Sequence, residues 1–69
     1  MKWRTNFVHP QRWIFEIAQD TSAGYYLYIW DENGNNTHDY LQNTFEAASE
    51  QALEDFGVPL DSWQPVGGV

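Results

Sequence analysis

Cysteine is absent from the 69 residues. That removes disulfide frameworks and thiolate sites for zinc or iron–sulfur clusters. Cations are scarce: Lys2, Arg4 and Arg12 are the only three, against ten acids that run from Glu16 to Asp61. Residues 1–12 therefore carry +3 and residues 13–69 carry −10. A polyanionic body repels phosphate backbones, so no nucleic-acid partner is expected. No apolar run approaches the ~20 residues of a membrane helix, so no membrane partner is expected either. The N-terminal MKWRTNFVHPQRW has charge but lacks the roughly 7–15-residue apolar stretch of a secretory signal, and a cytoplasmic location is the expectation.

What remains is rich in rings. Aromatics make up 17% of the chain and apolar residues 42%, which argues against disorder, because each large ring removes ~150–250 Å² from water on burial. A chain this short without a staple is of marginal stability. Either the rings pack well or a second chain adds burial.

Alternation marks four strands. In residues 2–8, Trp3, Thr5 and Phe7 point one way, and His9-Pro10 ends the run. This strand is the weakest of the four, since the short His9–Gln11 connection is able to bend it out of the sheet. In residues 12–19, Trp13, Phe15 and Ile17 oppose Ile14, Glu16 and Ala18. Residues 25–30, YYLYIW, place Tyr25, Leu27 and Ile29 on one side and Tyr26, Tyr28 and Trp30 on the other. Asn33-Gly34 is the preferred pair for a type I′ hairpin. It would set Trp30 opposite Thr37, Tyr28 opposite Asp39 and Leu27 opposite Tyr40 in a strand over residues 36–41.

A helix follows over Thr44–Phe56. Asn43 or Thr44 caps it, Asn43 with Glu46 having the spacing of a capping box. Phe45, Ala48, Ala52, Leu53 and Phe56 form its apolar stripe. Gly57 and Pro59 terminate it, with Val58 placed against Leu53. Leu60 and Trp63 fold back as an anchor. Residues 1–63 are thus expected to form a single domain, with 64–69 a flexible tail. The fold class is α+β: a two-layer arrangement of a three- to four-stranded, mostly antiparallel sheet in β-β-β-β-α order, with one helix on one face.

Cover is short. Four strands span roughly 15–19 Å, and one helix of ~10 Å diameter covers one face. Glu16 indicates which face stays open, because a lone carboxylate is costly to bury. The row Trp13, Phe15, Ile17 then meets the helix. The open face carries Tyr26, Tyr28, Trp30, Ile14, Thr37 and Leu41, joined by Lys2 and Arg4 if the first strand enters the sheet. Tyrosine and tryptophan are enriched at binding hot spots. This row therefore suggests an interface for another protein, most simply a second copy in a homodimer. Two structural readings compete with it: plain cross-strand packing, and a one-residue slip that swaps the rows.

Catalytic chemistry has no evident home. His38 and Asp39 are neighbours on a strand and point to opposite faces. No nucleophile elbow, zincin or phosphate-loop motif occurs. Asp31–Asn35 departs from a calcium loop, with glycine at the fourth position and Gln42 at the twelfth. We therefore expect no enzyme, no catalytic residue, no metal and no cofactor. Glu46, Glu50 and Glu54, with Asp55 beside them, line one helix face without a lysine. This ridge suggests the second functional expectation, an acidic inhibitor or immunity-type protein that binds a basic nucleic-acid-handling or toxin protein. Its structural alternative is a solvated helix face.

Overall fold

The computed structural model describes residues 1–67. Its elements are β1 (Lys2–Thr5), β2 (Ile14–Asp20), β3 (Gly24–Trp30), β4 (Asn36–Gln42), α1 (Phe45–Phe56), a short 3₁₀ turn (Leu60–Ser62) and β5 (Trp63–Val66). The fold is α+β, and one antiparallel sheet of order β4-β3-β2-β1-β5 holds all of these strands. The helix packs on β2, β3 and β4.

The alternating residues of β2 and β3 pair without interruption from Ile14↔Trp30 to Asp20↔Gly24. This register puts Phe15, Ile17, Leu27 and Ile29 on one side, where all four are sealed from solvent with Ala48, Ala52 and Val58. Rings wall the core at both ends of α1. Trp3 lies 4.6 Å from Phe45 and 6.0 Å from Tyr25 between ring centroids. At the other end Phe56 meets Phe15 at 5.5 Å and Trp13 at 5.9 Å.

The helix begins at Thr44, whose Oγ1 accepts the Ala47 N–H at 3.0 Å; Asn43 takes no part in the cap. It ends at Gly57, at φ 77°, a left-handed conformation that glycine adopts without steric cost. The buried stripe differs in one member. Ser49 is buried and Leu53 is exposed. The small Ser49 lets the helix approach the sheet, and its hydroxyl donates to the Glu46 carbonyl at 2.9 Å, so nothing polar is stranded. Val58 accordingly joins the main core instead of pairing with an internal Leu53.

Two expectations are corrected by longer-range pairing. The sheet has five strands among the described residues, because Trp63–Val66 forms β5 antiparallel to β1, from Thr5↔Trp63 to Lys2↔Val66. Residues 64–66 thus belong to the sheet, and of the expected tail residues 68 and 69 lie outside the described residues. Pro65 is compatible with this strand because β5 is an edge, where a missing donor is tolerated. Trp63 anchors it at 8% exposure, whereas Leu60, its expected companion, is exposed. β1 sits between β2 and β5, which settles its place in the sheet.

The β3–β4 hairpin also differs. Among the described non-glycine residues only Arg12 has positive φ, so Asn33 does not adopt the type I′ conformation. Instead the Asp31 carboxylate accepts the N–H groups of Asn33 and Asn35, both at 2.9 Å, and Asp31 N–H donates to the Asn35 carbonyl at 2.9 Å. Glu32, Asn33 and Gly34 form a three-residue loop closed by Gly34 at φ 82°. The odd loop length is absorbed by a bulge at Ile29/Trp30, which leaves Asn36, not Thr37, opposite Trp30.

Two substitutions test this architecture. Trp63→Ala is expected to cost about 3–5 kcal/mol, a large part of the roughly 4–10 kcal/mol available to a chain of this size. Urea denaturation should show most of the stability gone. Gly24→Ala would drive a Cβ into the Gln42 carbonyl oxygen at a φ of 129°. We expect a loss of at least about 2 kcal/mol, read as a fall in Tm.

Candidate functional site

The face opposite α1 follows directly from the strand registers. One row across it reads Leu41, Tyr26, Ala18, Lys2, Val66; the next reads Asp39, Tyr28, Glu16, Arg4, Gln64. Ile14 and Trp30 begin a third. None of the described elements covers these rows. Ile14 is 48% exposed, Leu41 50% and Val66 38%, while Tyr26, Tyr28 and Trp30 are half-buried by their neighbours.

The three rings form a ladder along β3. Tyr26 and Tyr28 stack at 5.5 Å with planes 15° apart, and Tyr28 meets Trp30 at 5.8 Å and 36°. Rings that stack on each other occupy their own π faces. What the ladder offers outward is ring edges and phenol hydroxyls, the amphipathic character that suits contact with another protein.

Glu16 lies on this face, but the expectation that it would be wet is corrected: it is 5% exposed. Its Oε2 accepts from Arg4 Nε at 2.8 Å, the only ion pair among the described residues. The cross-strand neighbours Arg4 and Tyr28 flank it on either side. A buried carboxylate needs such a partner, since an unpaired charge would carry a large desolvation penalty. The ion pair also fixes β1 against β2.

Of the residues expected on this face, Tyr26, Tyr28, Trp30, Ile14 and Leu41 come together there. Thr37 does not sit opposite Trp30; the bulge displaces it, and its hydroxyl donates to the Ile29 carbonyl at 3.2 Å. The sequence reading omitted Gln64 and Val66, which extend both rows through β5. The alternation of buried Trp63 with outward Gln64 was the available signal, masked by Pro65 and the following glycines.

Charge is divided unequally between the two sides. The open face holds Lys2 and Arg4 with Glu16, Asp20 and Asp39, a net −1 of the chain's −7. The remaining −6 comes from Arg12 against Asp31, Glu32, Glu46, Glu50, Glu54, Asp55 and Asp61. Within that set, Glu46, Glu50, Glu54 and Asp55 are all exposed, and the last turn of α1 has no basic residue.

Elsewhere, His38 faces α1, stacked on Tyr40 at 5.5 Å, while Asp39 faces the open side beside Tyr28. The two side chains therefore form no acid–base pair. His9 stacks on Trp13 at 5.3 Å, and Trp13 Nε1 donates to Glu32 Oε2 at 2.8 Å. Among the described residues no three His, Asp or Glu side chains gather as a metal site, and no helix is long and apolar enough to cross a membrane.

Tyr28 titrates late. Partial burial, and then the negative potential of Tyr26, Asp39, Asp20 and Glu16, raise its phenol above the ordinary value of 10.0. The folded state favours the neutral phenol, so this contribution is full below pH ~10 and is lost as pH rises through the raised value. Absorbance titration at alkaline pH should show one tyrosine ionising above the free value, and Tyr28→Phe should remove that component. Neither a protein family, a curated protein nor a solved structure matches this chain, so its function is read from the geometry of this face.

Proposed function

We propose that the chain is a non-enzymatic protein-interaction module whose contact surface is the uncovered sheet face. The observation that carries this reading is the Tyr26–Tyr28–Trp30 ladder, set between the exposed side chains of Ile14 and Leu41 with no described helix above it. Cross-strand packing alone accounts for the ladder's contact with the sheet. It does not account for exposed isoleucine, leucine and valine on the same side, a composition typical of contact patches rather than solvated sheet faces. The charge distribution supports the same side, because the near-neutral face is where another protein meets the least repulsion.

The ladder's geometry argues for a protein rather than a stacked ligand. Base and sugar binding on a sheet uses open aromatic faces, and here Tyr26 and Tyr28 cover one another. The chain's net charge of −7 opposes a nucleic acid further.

The test is a photo-crosslinking benzophenone amino acid at position 14 or at position 50, compared in cells. We expect protein adducts from position 14 and none from position 50, with Tyr28→Ala reducing the yield at 14 at least about fivefold while circular dichroism stays unchanged. Adducts from position 50 alone would overturn this reading and favour a basic partner on the acidic helix.

A further inference from the structure

We infer that the partner of the open face is a second copy of this chain, related by a two-fold axis that runs along β2. This rests on the reading of that face as a protein contact surface and names its occupant.

The strand order supplies the argument. β2 is the middle strand of β4-β3-β2-β1-β5. A two-fold along β2 that stacks the sheets face to face, about 10 Å apart, exchanges β3 with β1 and β4 with β5. Each residue then lies over the one at the mirrored place in its own row. Tyr26 lies over the second copy's Lys2, and Tyr28 over its Arg4. Leu41 lies over its Val66. Ile14, on the axis strand, meets itself. The cations of β1 thus meet the outward edges of the β3 rings, where the Lys2 ammonium and the Arg4 guanidinium donate to the phenol oxygens of Tyr26 and Tyr28, and the exposed apolar side chains at the two sheet edges cover each other. Glu16 and Asp20 also fall near their own copies, but Arg4 already neutralises Glu16 at 2.8 Å, and Asp20 lies at the exposed end of β2, its carboxylate accepting the N–H groups of Ser22 and Ala23.

The alternative two-fold, perpendicular to the strands, lays β1 on β1 and β4 on β4. Cations then oppose cations and Asp39 opposes Asp39. Charge therefore selects the axis along β2. It also selects a copy over a basic protein: the basic protein is drawn to the side carrying −6, whereas two copies repel least through the side carrying −1. The residual repulsion between the acidic bodies is screened within ~8 Å at physiological ionic strength, so added salt leaves this dimer intact or tightens it.

The experiment uses two variants at exposed edge positions, Leu41→Glu and Val66→Lys. In the proposed arrangement each alone places two charges against apolar partners. Mixed, they set the introduced carboxylate of one variant against the introduced ammonium of the other at one edge, and keep Leu41 over Val66 at the other. By sedimentation equilibrium and native mass spectrometry, the wild type should dimerise, each variant alone at least about tenfold more weakly, and the equimolar mixture should form heterodimers about tenfold tighter than either homodimer. A mixture no tighter than its components overturns the axis. A wild type that stays monomeric to about 1 mM overturns the second copy. If in that case the position-14 probe captures a protein of another mass, the contact surface stands and only its occupant is wrong; if it captures nothing, both fail.

Discussion

The pairing of β2 with β3 governs the molecule. Because side chains alternate along a strand, seven consecutive pairs in one register divide two aromatic-rich segments into two unlike surfaces. Phe15, Ile17, Leu27 and Ile29 become the floor under α1, and Ile14, Tyr26, Tyr28 and Trp30 become its reverse side. A slip of one position would put the tyrosine ladder on the same side as Phe15 and Ile17 and turn Leu27 and Ile29 to the other. The helix then has one side to cover, and its small Ala48, Ser49 and Ala52 allow it to settle closely there. The other side stays open because no second α-helix occurs among the described residues.

β1 completes the arrangement by joining two distant parts of the chain. It pairs with β2 through the Arg4–Glu16 contact and with β5 at the sheet's outer margin. It also delivers two of the three cations to the open side. The surface charge is therefore an outcome of topology: had β1 left the sheet, Glu16 would have lost its partner, β5 its template and the open face its positive charge.

Much of this was legible in the residues. The alternation in Ile14–Asp20 and Tyr25–Trp30 gave the strands and their facing rows, and Thr44 with Gly57 gave the helix ends. The aromatic row was legible because a single carboxylate, Glu16, labelled its side. The misreadings share a cause, which is that each was decided by contacts distant in sequence or by a side chain acting on backbone. The burial of Glu16 depends on Arg4, twelve positions earlier. β5 depends on β1, and nothing in Gln64-Pro65-Val66 announces a template at the other end of the chain. The hairpin loop followed the Asp31 carboxylate, whose two backbone hydrogen bonds outweighed the intrinsic preference of Asn33-Gly34. That one change of loop length moved Thr37 out of register with Trp30.

The two margins of the sheet are unlike. β5 is four residues long and interrupted by Pro65, whereas β4 runs seven residues without a proline or a lysine. Strand addition by a foreign or misfolded chain needs an uninterrupted row of unpaired amides and carbonyls. Among the described residues the border open to amyloid-like growth is therefore the regular stretch of the hairpin's second arm from His38 to Gln42, beyond the bulge.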